Sequence, residues 1–442
     1  MVAALTSDFN QPLPGRRRTL FNEEHRDMSK IPDLAAIEAM DAADPLRAMR
    51  DRFVLPEGVI YLDGNSLGAA SPAVFKELNK AATQEWALDL IRAWNTAGWF
   101  DMPVELGDQL GGLIGAAAGQ TVVCDTTSIN IYKVLHAALG MRPNRSVIVA
   151  EGDSFPTDLY MAEGVASTRP GTVLRLEGVD APDIEDLIDE RVAVILVNHV
   201  NYKSGQLRDM AALTCKAHQV GALIVWDLCH TAGALPVELD GANADFAIGC
   251  TYKYLNGGPG SPAFIYAAKR HHGDIRQPLS GWWGHARPFA FEQGYEAGTG
   301  IRRFLCGTQP VLSMRALKGA LDLWKEVDMA AVRKKSIALT DLFIQLVEAR
   351  CGTYGLELES PRNGNARGSQ VSFIHPHGYQ VMRALIERGV IGDFRAPSTI
   401  RFGFTPLYVG YKDVWQAVEV LDDILRTGAW RDARFAVKTA VT

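Results

Sequence analysis

Short, wholly apolar runs alternate with stretches of helical period through the middle of the chain, and this alternation carries the first prediction about the fold. Ser146–Ala150, Val192–Val197, Ala222–Trp226 and Asp245–Cys250 read as strands buried on both faces. Met210–Val220 has helical period and stops at Gly221, as a helix closing on a left-handed residue does. Such alternation implies a mainly parallel sheet joined by right-handed crossovers. Upstream, Ser71-Pro72 opens an amphipathic pattern in which Val74, Leu78, Ala81, Ala82 and Trp86 share one face. Downstream, Pro310–Ala349 is strongly helical and leads out of the sheet. Beyond it, Gln370–His375 and Ile400–Phe404 as strands, with Val381–Arg388 and Val414–Leu425 as helices, predict a small α+β unit. Residues 1–45 are polar and predict a partly flexible arm, with helical period only over Leu34–Met49.

Composition narrows the class. The chain has 442 residues, 47% hydrophobic and 22% charged, a globular balance that argues against wholesale disorder, collagen or coiled coil. A formal charge of -6 gives no general attraction to nucleic acid or anionic membranes, so neither is an expected partner. Arg16-Arg17-Arg18 reads as solvated charge in a tail rather than a nucleic-acid contact. No apolar run approaches the ~20 residues needed to span a bilayer, and no signal core opens the chain; a cytoplasmic location is expected. Cys124, Cys215, Cys229, Cys250, Cys306 and Cys351 lie far apart without a C-x-x-C, which suits reduced thiols better than a disulfide frame or a metal site.

Ligands of an open parallel sheet bind at the carboxyl ends of its strands. Three apolar runs end on polar residues: Asn198-His199, Asp227-Leu228-Cys229-His230 and Thr251-Tyr252-Lys253. A carboxylate at one strand end and a lysine at a nearby one is what a pyridoxal phosphate enzyme needs. The lysine amine joins the cofactor, while the carboxylate keeps the pyridine nitrogen protonated. Asp227 and Lys253 are the candidates for those roles, although either residue alone reads more readily as a capping Asp or a surface Lys. Asn256–Ser261 is a glycine-rich turn without P-loop spacing, suited to close backbone approach. Thr126, Thr127 and Ser128 open the Ile129–Leu139 helix and read either as a plain N-cap or as a phosphate-binding turn.

The runs YLDGNSLG (Tyr61–Gly68), SFPTDLY (Ser154–Tyr160), WDLCHTAGALP (Trp226–Pro236), GCTYKYLNGGPGSPAF (Gly249–Phe264), GWWGH (Gly281–His285) and RFGFTPLY (Arg401–Tyr408) together resemble the kynureninase family, from about Asp44 to the C-terminus. The resemblance implies the aspartate aminotransferase fold type I. It also implies an α/β domain with a mainly parallel, seven-stranded type of sheet over 46–310, and a smaller α+β domain over 311–442. Segment 46–75 is expected to pack on the small domain. It implies pyridoxal 5'-phosphate as cofactor and hydrolytic Cβ–Cγ cleavage of L-kynurenine to anthranilate and L-alanine, a step of tryptophan catabolism.

Carried over by position, Lys253 binds the cofactor, Asp227 pairs with the pyridinium, Phe155 stacks on the ring and Asp158 lines it. His230 and Tyr252 complete the pocket, Tyr252 as proton donor, and Thr127 and Ser128 match the phosphate turn. Trp282 and Thr308 match residues that reach the phosphate from the second subunit of a homodimer. Arg401 matches the residue that grips the α-carboxylate as a bidentate pair, and Ser66 and Trp94 lie at substrate positions. Asn198 stands where a hydroxyl residue is usual, and Trp283 where phenylalanine is common; Trp94 and Thr308 follow the bacterial pattern that accepts kynurenine rather than its 3-hydroxy form. The competing readings are a class V aminotransferase or cysteine desulfurase, which would need a nucleophilic cysteine on a late mobile loop, and a catalytically silent binding protein.

Overall fold

The computed structural model describes residues 31–438. Seven strands form the central sheet in the order Thr121–Val123, Phe264–Ala267, Phe246–Gly249, Leu223–Asp227, Val192–Asn198, Val147–Glu151, Val173–Glu177. All neighbours are parallel except Phe264–Ala267, which runs antiparallel to both of its partners. The predicted strands sit at its centre because their apolar runs are buried on both faces. Thr121–Val123 and Val173–Glu177 escaped the sequence analysis; the first is too short for a period, and the second is an edge strand with no buried residue. The arginine triplet at 16–18 lies outside the described residues.

Four antiparallel strands form a second sheet in the order Asp393–Arg395, Thr399–Gly403, Gln370–Ile374, Glu357–Leu358. Ile60–Tyr61 pairs with Val390–Ile391, and Leu62 accepts from the Gly403 amide, so the segment after residue 59 adds to the C-terminal unit. Two expectations need correction. Pro310–Ala349 is two helices, Val311–Trp324 and Met329–Cys351, because Asp328 caps a new start through Ala330 N–H. Helix Pro72–Lys80 is capped by Ser71 as expected but widens into a π-helix over Ala81–Asp89. The extra residue per turn rotates the apolar face, so Trp86 is exposed and Glu85 is buried in its stead.

Candidate active site

Local sequence sets each wall of the site. Helix Thr127–Met141 is capped by Thr126, whose Oγ1 accepts from Ile129 N at 3.4 Å. That leaves Thr127 and Ser128 as the first helical residues, with free backbone N–H groups beside their hydroxyls. Ser128 Oγ lies 2.8 Å from Thr157 Oγ1, and Thr127 Oγ1 lies 3.8 Å from Cys229 Sγ. The cap is therefore Thr126 alone, and the hydroxyls of Thr127 and Ser128 are not spent on it, which a run of three hydroxyls does not reveal.

Asp227 ends its strand, and its Oδ1 accepts from Cys229 N at 2.6 Å. Asn198 ends the next strand at the paired register position. Its Nδ2 donates to Ser154 Oγ, and to Asp158 Oδ2 at 3.4 Å. Asp158 sits in the first turn of helix Pro156–Thr168, and Ser154 Oγ donates to it at 3.0 Å. Burial and the neighbouring Asp227 push its proton affinity well above the usual carboxylate range. Its Oδ1 is buried without a partner. The two carboxyls share one buried patch, which fits a protonated heteroaromatic nitrogen.

Lys253 follows the strand Phe246–Gly249 and is half-buried, its Nζ 3.3 Å from His230 Nε2 and 5.9 Å from the centre of the Phe155 ring. Burial, and then Lys253 itself, hold His230 well below its ordinary value, so the imidazole is neutral. The Cys250 sulfur and burial push the Tyr252 hydroxyl up, so it keeps its proton. Gly68 donates its N–H to Tyr252 O at 2.7 Å; a Cβ there would lie 2.3 Å from Lys253 O, which is why a side chain is not accommodated. The turn that follows strand Ile60–Tyr61 is thereby clamped onto the lysine segment.

Arg401 is fully buried on strand Thr399–Gly403. Its Nε donates to Asp393 Oδ1 at 2.8 Å and its Nη2 to Asp393 Oδ2 and, at 3.0 Å, to Ser66 Oγ. Its Nη1 donates to Tyr202 O at 2.5 Å, and the Tyr202 ring meets Phe155 edge-on at 5.3 Å. The fork expected to grip the substrate carboxylate thus faces Asp393. Asp393, Arg395 and Tyr202 join the site without having been singled out, since nothing in their spacing marks them apart from ordinary turn and strand residues, and Asp63, Ser154, Thr157 and Cys229 join it from runs that were quoted without a role for them.

Trp94, Trp282, Trp283, Phe100 and Phe289 form a separate aromatic cluster: Trp94 lies 5.0 Å from Trp283, Trp283 4.5 Å from Trp282, and Trp282 5.9 Å from Phe289. Trp282 and Thr308 are exposed, and among the described residues neither makes a recorded contact with the Lys253 group. The structure therefore unites Lys253, His230, Tyr252, Asp227, Asp158, Asn198, Phe155, Thr127, Ser128, Ser66 and Arg401, and gathers Trp94 and Trp282 in the separate aromatic group.

The fold matches a cysteine desulfurase from Thermococcus onnurineus NA1 (TM-score 0.72, 18% identity, 86% of this chain and 98% of that one). It also matches C-DES with glycine covalently linked to its PLP cofactor (TM-score 0.74, 14% identity, 85% and 99%). This is the architecture of the fold type I pyridoxal phosphate enzymes. A profile described as the kynureninase C-terminal domain matches residues 332–421. A kynureninase of Burkholderia pseudomallei (strain 1106a) is 54% identical over 91% of this chain and 98% of its own length, and one of Pseudomonas fluorescens is 53% identical over the same shares. The chain belongs to the kynureninase family.

Proposed function

We propose that the protein binds pyridoxal 5'-phosphate and hydrolyses the Cβ–Cγ bond of L-kynurenine, releasing anthranilate and L-alanine, as a hydrolase acting on carbon–carbon bonds in ketonic substances. The observation that carries this reading is the Lys253 amine, set beside a neutral histidine with a buried pair of carboxyls on the same site. When bound, the cofactor supplies an electron sink that acidifies the substrate's α- and then β-carbon.

The chain's own residues do the rest. Lys253 holds the cofactor, then serves as the base that takes the α-proton. His230, being neutral, accepts at Nε2 and orients the amine without adding a competing charge. Asp227 carries the negative charge that the ring nitrogen requires, and Asp158, held protonated beside it, keeps the patch at a single charge. Thr127, Ser128 and the first N–H groups of their helix hold the phosphate. Tyr252 keeps its hydroxyl proton and relays protons in turn: water adds at the γ-carbonyl, the Cβ–Cγ bond breaks to release the aryl carboxylic acid, and the β-carbon takes the Tyr252 proton, which the added water replaces. Arg401 anchors the α-carboxylate end, and Ser66, which accepts from it, steadies the guanidinium there.

The active unit is proposed to be a homodimer with shared sites. Exposed Trp282, Phe289 and Phe291 form an apolar ridge that water covers poorly, and a second copy supplies the cover. A reducing cytoplasm suits its six free cysteines. Among the described residues no helix is long and apolar enough to cross a membrane. Anthranilate release from kynurenine and 3-hydroxykynurenine, followed side by side by fluorescence, tests the reading; no release by the wild type, or undiminished release by Lys253→Ala, overturns it.

A further inference from the structure

The strand pair Asp393–Arg395 and Thr399–Gly403 sets Asp393 opposite Arg401 in register and brings a second arginine, Arg395, to the same place. The five N–H bonds of Arg401 are almost all spent: one on Nε and two on Nη2 go to Asp393 and Ser66, and one on Nη1 goes to Tyr202 O. A single N–H at Nη1 is left, which cannot make the two parallel bonds of a carboxylate grip. Arg395 has the missing donors. Its Nη2 lies 2.8 Å from Asp393 Oδ2 and 3.4 Å from Ser66 Oγ, and its Nη1 donates to Phe394 O at 3.3 Å. Its Nε is buried with no partner at all.

Charge points the same way. Burial pushes Asp393 up, but the Arg401 guanidinium outweighs it and keeps that carboxyl ionised. Burial and the Asp393 charge push Asp63 up to about 8, so near neutral pH it keeps its proton. Two guanidiniums then face one carboxylate, and the cluster has room for one further negative charge. An unpartnered buried N–H beside an uncompensated positive charge is the complement of a single carboxylate.

We propose that Arg395 is a second substrate-binding residue, which holds the α-carboxylate of the amino-acid substrate through its free Nε together with the remaining Nη1 N–H of Arg401. This rests on the reading of Arg401 as the carboxylate anchor. Asp393, which both arginines share, is then the element that fixes the two forks relative to each other, and Ser66 ties the pair to the turn clamped on the Lys253 segment. A merely structural Arg395, present to neutralise Asp393, would affect cofactor retention and every amine ligand alike.

The experiment measures binding of L-alanine and of ethylamine, its carboxylate-free counterpart, to the holoenzyme by the change in cofactor absorbance. Wild type, Arg395→Gln and Arg395→Lys are compared. Arg395→Gln should weaken L-alanine at least roughly tenfold while ethylamine stays within about twofold, and Arg395→Lys should lose less. Unchanged L-alanine affinity, or equal losses for both ligands, overturns the proposal. Should Arg395→Gln fail to hold the cofactor, Arg395→Lys decides, because it keeps the charge against Asp393 and changes the fork alone. A wild type that does not distinguish the two ligands would instead remove the carboxylate site itself, and with it the role of Arg401.

Discussion

The amine of Lys253 lies 3.3 Å from Nε2 of His230, and that histidine is held neutral by burial and by the lysine itself. A protonated imidazole would carry N–H groups on both ring nitrogens and could not accept from the amine at this distance. The neutral ring gives its one N–H to the Asn65 backbone and accepts at Nε2, so it steadies the amine without adding charge. Both residues follow strand ends of one parallel sheet, where successive strands deliver side chains to a common edge.

Loss of the Arg401 fork should be costly in turnover and silent in the cofactor. Arg401→Lys keeps the charge but not the planar donors that meet Asp393, Ser66 and Tyr202 together. We expect kcat/KM to fall at least roughly tenfold, about 1.4 kcal/mol, with the cofactor absorbance band unchanged. Steady-state anthranilate fluorescence and the absorbance band are recorded in parallel; wild-type kinetics would remove Arg401 from the site.

Substrate affinity should weaken as pH passes about 8. Asp63 is faced by Asp393, Arg401, Arg395, Ser66, Tyr61, Tyr254 and Tyr408, and its carboxyl titrates near 8. Below that pH the two arginines exceed Asp393 by one positive charge; above it, ionised Asp63 cancels the excess, so KM for kynurenine rises. The stability sign follows from the same shift. The folded value lies above that of a free carboxyl, so the folded chain binds more protons. The contribution of this group therefore falls as pH climbs from the ordinary carboxylate range to about 8, and is flat beyond. Asp63→Asn cannot ionise and should remove the rise in KM; a variant that keeps the wild-type pH profile assigns the rise to another group, such as the substrate amine.

Mixed dimers should recover activity that neither parent shows. If Trp282 serves the neighbouring site, heterodimers of Lys253→Ala with Trp282→Ala contain one site with both residues intact. Purified heterodimers carrying two different tags are assayed for anthranilate release. Activity no higher than that of the better parent would place Trp282 in its own chain's site or outside the chemistry.

Stability depends on a buried ion pair that the π-helix creates. Glu85 accepts from Trp99 Nε1 at 2.9 Å and pairs with Arg315 at 2.7 Å, both partners of the pair being almost wholly buried. Glu85→Ala leaves the Arg315 guanidinium without its main counter-charge and should cost about 3–5 kcal/mol, read from urea denaturation followed by fluorescence. A loss below about 1 kcal/mol would mean that Glu77, 3.5 Å from Arg315, takes over the charge.

The chemistry at the strand ends is legible in the sequence because it is local. A run such as Leu223–Asp227 is apolar until its last residue, so the polar end announces itself, and Asp227, Asn198 and Lys253 are found without coordinates. The same holds for Thr126–Ser128, whose place at a helix start follows from composition alone, although which hydroxyl caps the helix does not. Only the tertiary structure joins Ser66, Asp393, Arg395 and Arg401, because the bonds between the first and the rest span more than 300 positions and depend on the turn after Ile60–Tyr61 docking beside the C-terminal sheet. The π-helix over Ala81–Asp89 is likewise decided by packing. Its residues fit an ordinary helical period, and burial of Glu85 against Arg315 and Trp99 selects the wider turn that the pattern of apolar positions does not encode.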